Sequence, residues 1–373
     1  MKIAFMVSSM NAGGAERVAA TLSNAWVAQG HQVMLVSTYP VRGKSFYALD
    51  KAVRMVWLAD LMGKRVRSVF GPVWKLLEMR RLLRNEQPDV VVSFLTNVNV
   101  MTLLATRGLG LPVVVCERTN PRYSHSAGRV LSVLRRWLYP HASAVSVQTR
   151  ATAADFGPLL KNVHTLDILP NPLPPELAAM PTASLQPDEH GRFRLVAMGR
   201  LQPDKQFDRL IAMFARVQAD FPDWDLCIYG DGPARVDLEA QVRDLGLVGR
   251  VQLPGRTPLA WNALQKGSLF AMTSSVEGFP NALLEAMALG LPAVVYDCPS
   301  GPYEMTDGGR YAMLVPLNDE DGFVADLRVL MADPEKRQSM GNEAAQAMRT
   351  SYGLPVVLAH WHSVFSRIVK HHE

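Results

Sequence analysis

Short, unbroken apolar runs recur along this chain, and many give way to glycine, proline or asparagine and then to a helical segment. Pro88-Asp-Val-Val-Val-Ser-Phe and Leu111-Pro-Val-Val-Val-Cys are the plainest of them. Such a run is too short for a helix and lacks the alternation of a half-exposed strand. It reads as a strand covered on both faces, which belongs to a parallel sheet wrapped by helices. Lys2–Ser8 starts the pattern, the turn Asn11-Ala-Gly-Gly-Ala-Glu-Arg follows, and a helix from about Ala15 sets Val18, Leu22 and Trp26 on one face. Gln32–Ser37 is the next strand. Strand, glycine turn, helix, strand opens a doubly wound sheet. Arg54–Leu58, Ala144–Gln148 and His164–Ile168 are the remaining strands expected in this first half.

A second series starts after Leu169–Pro187, which holds six prolines and reads as a semi-rigid connector. Phe193-Arg-Leu-Val-Ala-Met runs into a turn, and a helix is expected from about Gln206 to Asp220. Asp225–Tyr229, Val251–Leu253, Ser268–Thr273, Pro292–Tyr296 and Ala312–Val315 continue as strands. Helices capped by acids begin near Asp319 and Asp333, and Tyr352–Lys370 is helical beyond Pro355. The expected organisation is therefore α/β with two doubly wound, Rossmann-like domains. Their bounds are 1–170 and 191–355, with a connector at 171–190 and a C-terminal helical segment at 356–373. At 373 residues the chain is too long for one ordinary core.

Composition narrows the class. Hydrophobic residues make up 48% of the chain, enough for a large core, yet no apolar run is long enough to span a bilayer. Met-Lys-Ile-Ala-Phe-Met-Val at the start reads as a strand and not as a signal peptide. Cys116, Cys227 and Cys298 are odd in number and far apart, which argues for a reducing cytoplasm and against a disulfide frame or zinc site. The net charge of +5 permits an anionic partner without naming one, and no nucleic acid is expected.

Chemistry concentrates in Glu277-Gly-Phe-Pro-Asn-Ala-Leu-Leu-Glu285-Ala-Met-Ala-Leu-Gly290-Leu-Pro292. The spacing predicts a loop through Phe279, then a helix of about ten residues closed by Gly290 and stopped by Pro292. Pro280 suits the first turn, and the N–H groups of Asn281, Ala282 and Leu283 point out of the helix start, where a phosphate or a hydroxyl binds. Glu277 lies just outside the helix and Glu285 more than a turn inside it. Carboxylates accept from the paired hydroxyls of a sugar or ribose, and the helix end takes negative phosphate between them. Taken alone, Glu–x7–Glu is equally served by a capping acid and a solvated one.

Gly199-Arg200-Leu-Gln-Pro-Asp204-Lys205 joins a strand end to a helix start. Arg200 and Lys205 beside free helix N–H groups would neutralise a diphosphate leaving group. Gly13-Gly14 lets a backbone approach an anion closely, although a plain tight turn uses the same residues.

These stretches resemble family 4 of the retaining glycosyltransferases: Glu277–x7–Glu285 with Gly-Phe-Pro-Asn between, Glu-Ala-Met-Ala-x-Gly-x-Pro-Val after it, and Gly-Arg-Leu-x-Pro-x-Lys with Gln206 where the family has glycine. The likeness runs from residue 2 to about residue 316. It implies the GT-B fold, two Rossmann-like domains facing across a cleft, and same-face transfer from a nucleotide diphosphate sugar without metal or cofactor. It assigns Arg200, Lys205 and Glu277 to catalysis. Donor binding falls to Gly14, Arg200, Lys205, Gly255, Arg256, Glu277, Phe279, Pro280, Asn281, Ala282, Leu283 and Glu285. Gly230-Asp231-Gly232-Pro233 corresponds to a family turn. Gly13, Arg118 and Asn120 lie on the acceptor side, Arg118 toward phosphates and Asn120 toward a sugar. Glu117-Arg118-Thr119-Asn120-Pro121 stands where many members carry a histidine. It is similar to the branch that builds lipid-linked and surface polysaccharides, and His125 is a bystander.

The expected activity is transfer of a hexose or N-acetylhexosamine, from a UDP-sugar by preference, to a glycan acceptor linked to polyprenyl diphosphate. Two other functions are open to such a chain. A nicotinamide oxidoreductase would need the third glycine that Gly230-Asp-Gly-Pro-Ala-Arg lacks. A non-catalytic nucleotide-sugar-binding subunit would not need the intact Arg200, Lys205, Glu277 and Glu285. Finally, Lys64, Arg65, Arg67, Lys75, Arg80, Arg81 and Arg84 interleave with Val73, Trp74, Leu76, Leu77, Leu82 and Leu83. From Pro72 this is an amphipathic helix, either a peripheral contact with the inner membrane face or a solvated face on a docked helix.

Overall fold

The computed structural model describes residues 1–39, 43–63, 68, 70–123, 128–160 and 165–370. The chain divides into Met1–Pro172 with Pro355–Glu373, and Leu173–Leu354.

The first unit runs β1 (Lys2–Val7), α1 (Gly14–Ala28), β2 (Gln32–Ser37), β3 (Arg54–Trp57), α2 (Leu58–Met62), α3 (Gly71–Glu86), β4 (Val90–Phe94) and α4 (Thr96–Thr106). It continues through β5 (Val113–Cys116), α5 (Gly128–Leu138), β6 (Ala144–Val147), α6 (Arg150–Phe156) and β7 (Leu166–Ile168). Its sheet has the order β3-β2-β1-β4-β5-β6-β7, and the strand pairs are parallel. Alternate residues of the central strands feed two cores. Ile3, Phe5, Val90 and Val92 join Trp26 of α1 on one face, while Ala4, Met6, Val91 and Met79 join Leu83 and Tyr139 on the other. Both faces are apolar because both are covered, which is why these strands read as unbroken runs.

The second unit runs α7 (Pro175–Ala178), β8 (Phe193–Met198), α8 (Phe207–Ala215), β9 (Trp224–Tyr229), α9 (Arg235–Asp244), β10 (Val251–Gly255), α10 (Ala260–Gln265) and β11 (Leu269–Met272). It ends with α11 (Asn281–Ala288), β12 (Ala293–Asp297), α12 (Pro302–Met305), β13 (Met313–Pro316), α13 (Glu320–Ala332) and α14 (Pro334–Tyr352). Its parallel sheet has the order β10-β9-β8-β11-β12-β13. In both sheets the order reverses beside the first strand of the unit, between β1 and β4 and between β8 and β11. Ligands of such sheets bind at that switch, beyond the C-terminal ends of the strands.

Three expectations are corrected. The C-terminal helix α15 (Leu354–Lys370) is no separate segment: Trp361 and Phe365 pack on Trp26 of α1, with ring centroids 5.3 and 5.5 Å away. The connector is not a spacer, because Leu173, Leu177, Ala183 and Leu185 are buried in the core of the second unit. Ala183 N–H donates to the Leu289 carbonyl at 2.7 Å. The helix expected over 206–220 stops at Ala215, where Arg216 and Val217 switch to bonds with Met213 and Phe214, three residues back.

Candidate functional site

Of the residues assigned to donor binding, all but Gly14 belong to the second unit, in and beside the loops after β8, β10 and β11. The turn after β8 is fixed from below. Leu201 N–H donates to Asp231 O at 3.1 Å, and Ala234 N–H to Leu201 O at 3.1 Å. A Cβ on Gly230 would sit 1.7 Å from the Gly199 carbonyl oxygen, and one on Gly232 2.3 Å from that of Leu201. Two backbone turns are thus stacked directly, and the glycines in Gly230-Asp-Gly-Pro are there for that contact. Arg200 emerges exposed from this turn.

The turn continues into a short 3-10 stretch, Pro203–Lys205, and closes at Gln206 in the left-handed region, φ 50°, ψ 40°. This is the position where the resembling family has glycine. Gln206 also leaves its amide oxygen buried without a partner. From across the switch, the loop after β11 is stitched to the same turn. Thr273 Oγ1 donates to Lys205 O at 2.9 Å and Ser275 N–H to Asp204 O at 2.8 Å.

These bonds bring Lys205 Nζ to 2.6 Å from Glu277 Oε1, both side chains about 15% exposed. Ser274 Oγ donates to the same oxygen at 2.7 Å. The sequence proposed Lys205 and Glu277 for different moieties of one ligand; the structure makes them an ion pair. Ser274 was not anticipated. Its only signal was a hydroxyl three residues before the acid.

α11 has eight residues rather than about ten, and Pro280 is its N-cap residue. Asn281 N–H is not free as expected, since it donates to Phe279 O at 2.9 Å. Leu284 N–H makes the first helical bond, to Pro280 O at 3.0 Å. The outward donors of the first turn are therefore Ala282 and Leu283. The loop is held in place by Phe279, edge-on to Tyr352 at 5.6 Å, and by Gly301, whose Cβ would lie 2.4 Å from Pro280 Cδ. Glu285 is 3% exposed and accepts from Trp261 Nε1 at 3.1 Å. Trp261 was another residue the sequence did not single out. Gly255 takes φ 90°, and Arg256 follows it exposed.

The first unit carries its own cluster after β1, β4 and β5. Tyr47 Oη donates to Gly13 O at 2.9 Å and accepts from Gly13 N–H at 3.1 Å. Glu16 folds back over this turn: it takes a bond from Ser9 Oγ at 2.8 Å, and a Cβ on Gly13 would meet its carboxylate at 2.2 Å. Gly14 opens α1. Arg118 is 9% exposed, bonds Asn171 and lies 4.2 Å over the Phe94 ring; burial lowers its pKa to about 10. Asn120 donates to Asp155 at 2.9 Å. Glu117 is buried among Thr96, Tyr139 and Arg135, and burial raises its pKa. His125 lies outside the described residues.

In the basic stretch, Lys64, Arg65 and Arg67 lie outside the described residues. α3 does begin beside Pro72. Arg80 does not face solvent freely, because it donates to the carbonyls of Ala105 and Arg107 at 2.9 and 2.6 Å. Lys75 is partly buried, which lowers its pKa. Arg81 and Arg84 are exposed, in line with the exposed Phe70, Val73 and Leu77. Among the described residues no helix is long and apolar enough to cross a membrane.

Comparison with known proteins agrees with this geometry. Residues 13–172 match the glycosyl transferase 4-like domain, and residues 186–347 match glycosyl transferases group 1. The chain is 27% identical, over 93% of each chain, to a GalNAc-alpha-(1->4)-GalNAc-alpha-(1->3)-diNAcBac-PP-undecaprenol alpha-1,4-N-acetyl-D-galactosaminyltransferase of Campylobacter jejuni. It is 29% identical to the exopolysaccharide phosphotransferase SCO2592 of Streptomyces coelicolor, with 99% of this chain covering 41% of that protein. The fold superposes on Anabaena HepE, solved in complex with UDP, with a TM-score of 0.78, 18% identity and coverage of 98% and 100% of the two chains. One family match lies on each structural unit, and the chain belongs to the family 4 glycosyltransferases with the GT-B fold.

Proposed function

We propose that this glycosyltransferase moves a hexose or N-acetylhexosamine from a UDP-sugar to a lipid-linked glycan, with retention of configuration. The observation that carries the reading is the Lys205–Glu277 pair, set beside the start of α11 at the switch of the second sheet. Sugar and diphosphate are neighbours in the donor, so their ligands must be neighbours too. Glu277 accepts both of its bonds on Oε1, which leaves Oε2 for a sugar hydroxyl. Lys205 spends one of its three donors on Glu277 and keeps the others for phosphate. Arg200 and the Ala282 and Leu283 N–H groups supply further positive potential. Glu285, held by Trp261, addresses the ribose.

In the proposed reaction the bond from the anomeric carbon to the diphosphate oxygen breaks. The acceptor hydroxyl attacks from the same face, and its proton passes to the departing phosphate. The protein contributes position and electrostatics. UDP-sugar specificity and a lipid-linked acceptor draw support from the UDP complex of HepE and from the undecaprenol-linked substrate named for the Campylobacter relative.

Donor hydrolysis and transfer by Lys205→Ala test the reading. Turnover is expected to fall by roughly two orders of magnitude, the scale of one charged transition-state contact. Because the variant also breaks the partly buried ion pair with Glu277, turnover is compared at a temperature where its melting curve shows it folded. Turnover near wild type would remove Lys205 from the leaving-group role.

A further inference from the structure

Arg235 is the first residue of α9. That is the wrong end of a helix for a cation, because the N–H groups there already carry positive potential. The helix therefore gives no reason for it, and the reason lies in what the guanidinium reaches. Its Nε donates to Asp231 Oδ1 at 2.9 Å and its Nη2 to the Gly230 carbonyl at 2.9 Å, both in the turn after β9. Its Nη1 donates to the Leu253 carbonyl of β10 at 2.9 Å and to Glu239 Oε1 at 3.1 Å, one turn along α9. Only the Glu239 contact serves the helix.

The two turns it joins need a tie from outside the sheet. Gln252 pairs with Cys227 and Gly255 with Tyr229, so three steps of β10 oppose two of β9. Such a bulge interrupts the ladder and lets the strand bend. Arg235 takes a carbonyl inside the bulge, and Gly230 N–H donates to Gly255 O at 2.9 Å beyond it. Gly255 has φ 90°, and a Cβ there would lie 3.4 Å from Arg235 Nη2. On its other side Arg235 anchors Asp231, whose carbonyl accepts from Leu201 N–H in the Arg200 turn. What these turns carry is the nucleoside end of the donor site. Glu285, assigned to the ribose, accepts from Trp261 of α10, and the chain enters α10 from the loop after β10. A base attached to that ribose falls beside this loop. Lys205 and Glu277, assigned to the diphosphate and sugar, stand on the loops after β8 and β11.

We propose that Arg235 is a positioning residue for the nucleoside end of the donor. It holds the loop after β10 in the conformation that accepts the base, and so sets both the affinity for nucleotides and the choice among them. The inference rests on the donor site proposed above and deepens it.

Wild type, Arg235→Lys, Arg235→Ala and Glu239→Gln are to be compared as the whole chain, at a temperature where melting curves show each folded. Lysine keeps the charge, but its compact ammonium cannot span the carbonyls of two turns. Without ligand, hydrogen–deuterium exchange at 230–232 and 253–256 should quicken in both Arg235 variants. Titration with UDP, GDP and ADP then reads the function. Arg235→Lys should bind the nucleotide that wild type prefers about tenfold more weakly, the scale of one lost hydrogen bond to a charged group. The preference among the three should narrow as well. Glu239→Gln, which removes only the contact along α9, should keep wild-type affinities. A merely structural arginine would lower the melting temperature and leave the affinities of the folded protein alone. Wild-type affinities in both folded Arg235 variants, or unaltered exchange in the two loops, therefore overturn the inference and leave the donor site standing. Wild type that binds none of the three nucleotides removes the donor site, and the inference with it.

Discussion

At the scale of single residues, the acid pair divides by burial. Glu285 is buried against an indole N–H, while Glu277 is paired with Lys205 from the neighbouring loop. Glu285→Gln keeps an acceptor for Trp261 and loses the charge, so the variant should fold and bind UDP more weakly. Glu277→Gln should spare UDP and impair use of the UDP-sugar. Titration of both variants with UDP checks this, and equal losses would remove the distinction. Gln206 is the other residue with a clear expectation. A left-handed conformation costs a non-glycine residue about 1–2 kcal/mol, and its amide oxygen is buried without a partner. Gln206→Gly should therefore stabilise the protein by about 1 kcal/mol, after the added entropy of glycine in the unfolded chain is set against the gain. A melting temperature that falls would show that the Gln206 side chain packs more usefully than its geometry suggests. The family's glycine was visible in the motif as a one-letter difference. That it marks φ 50° was not, because sequence does not carry dihedrals.

At the scale of elements, the site is built from turns that touch backbone to backbone. Gly199 and Leu201 rest on Gly230 and Gly232, and Gly301 rests on Pro280. Gly230→Ala has no low-cost relaxation, since the obstacle is a carbonyl and φ is 145°. A loss of about 3 kcal/mol is expected, together with loss of donor binding as the Arg200 turn is displaced. Urea unfolding would measure the first and UDP titration the second. Near wild-type values for both would mean that the turns do not support one another. These strands and the start of α11 were legible because a covered strand and a Pro–Asn helix entry are local patterns. The end of α8 was not. Arg216–Asp220 could continue a helix by propensity, and the tighter bonding there is set by Val217 and Phe221 packing on the core.

At the scale of the molecule, the residues assigned to the donor, Gly14 apart, lie within residues 173–354. UDP should then slow amide exchange at 199–206, 255–261 and 274–285 in the second unit. At a hundredfold excess over Kd it should stabilise the native state by about 2.7 kcal/mol. Hydrogen–deuterium exchange with and without UDP tests this, and protection confined to the first unit would contradict the assignment.

Two sheets, their parallel strands and the two charged motifs followed from the sequence alone. Each is a short-range pattern: an apolar run, a turn residue, a cap, an acid or base at fixed spacing. What only the tertiary structure decided involves partners distant in sequence. Lys205 meets Glu277 across 72 positions because β8 and β11 are neighbours in a sheet whose order no local pattern reveals. Trp361 closes the core around Trp26 for the same reason. The proline-rich stretch looked like a spacer because proline reports local stiffness. It is in fact part of a core, since Leu173, Leu177 and Leu185 find apolar surface on the second unit, and burial depends on what the rest of the chain presents.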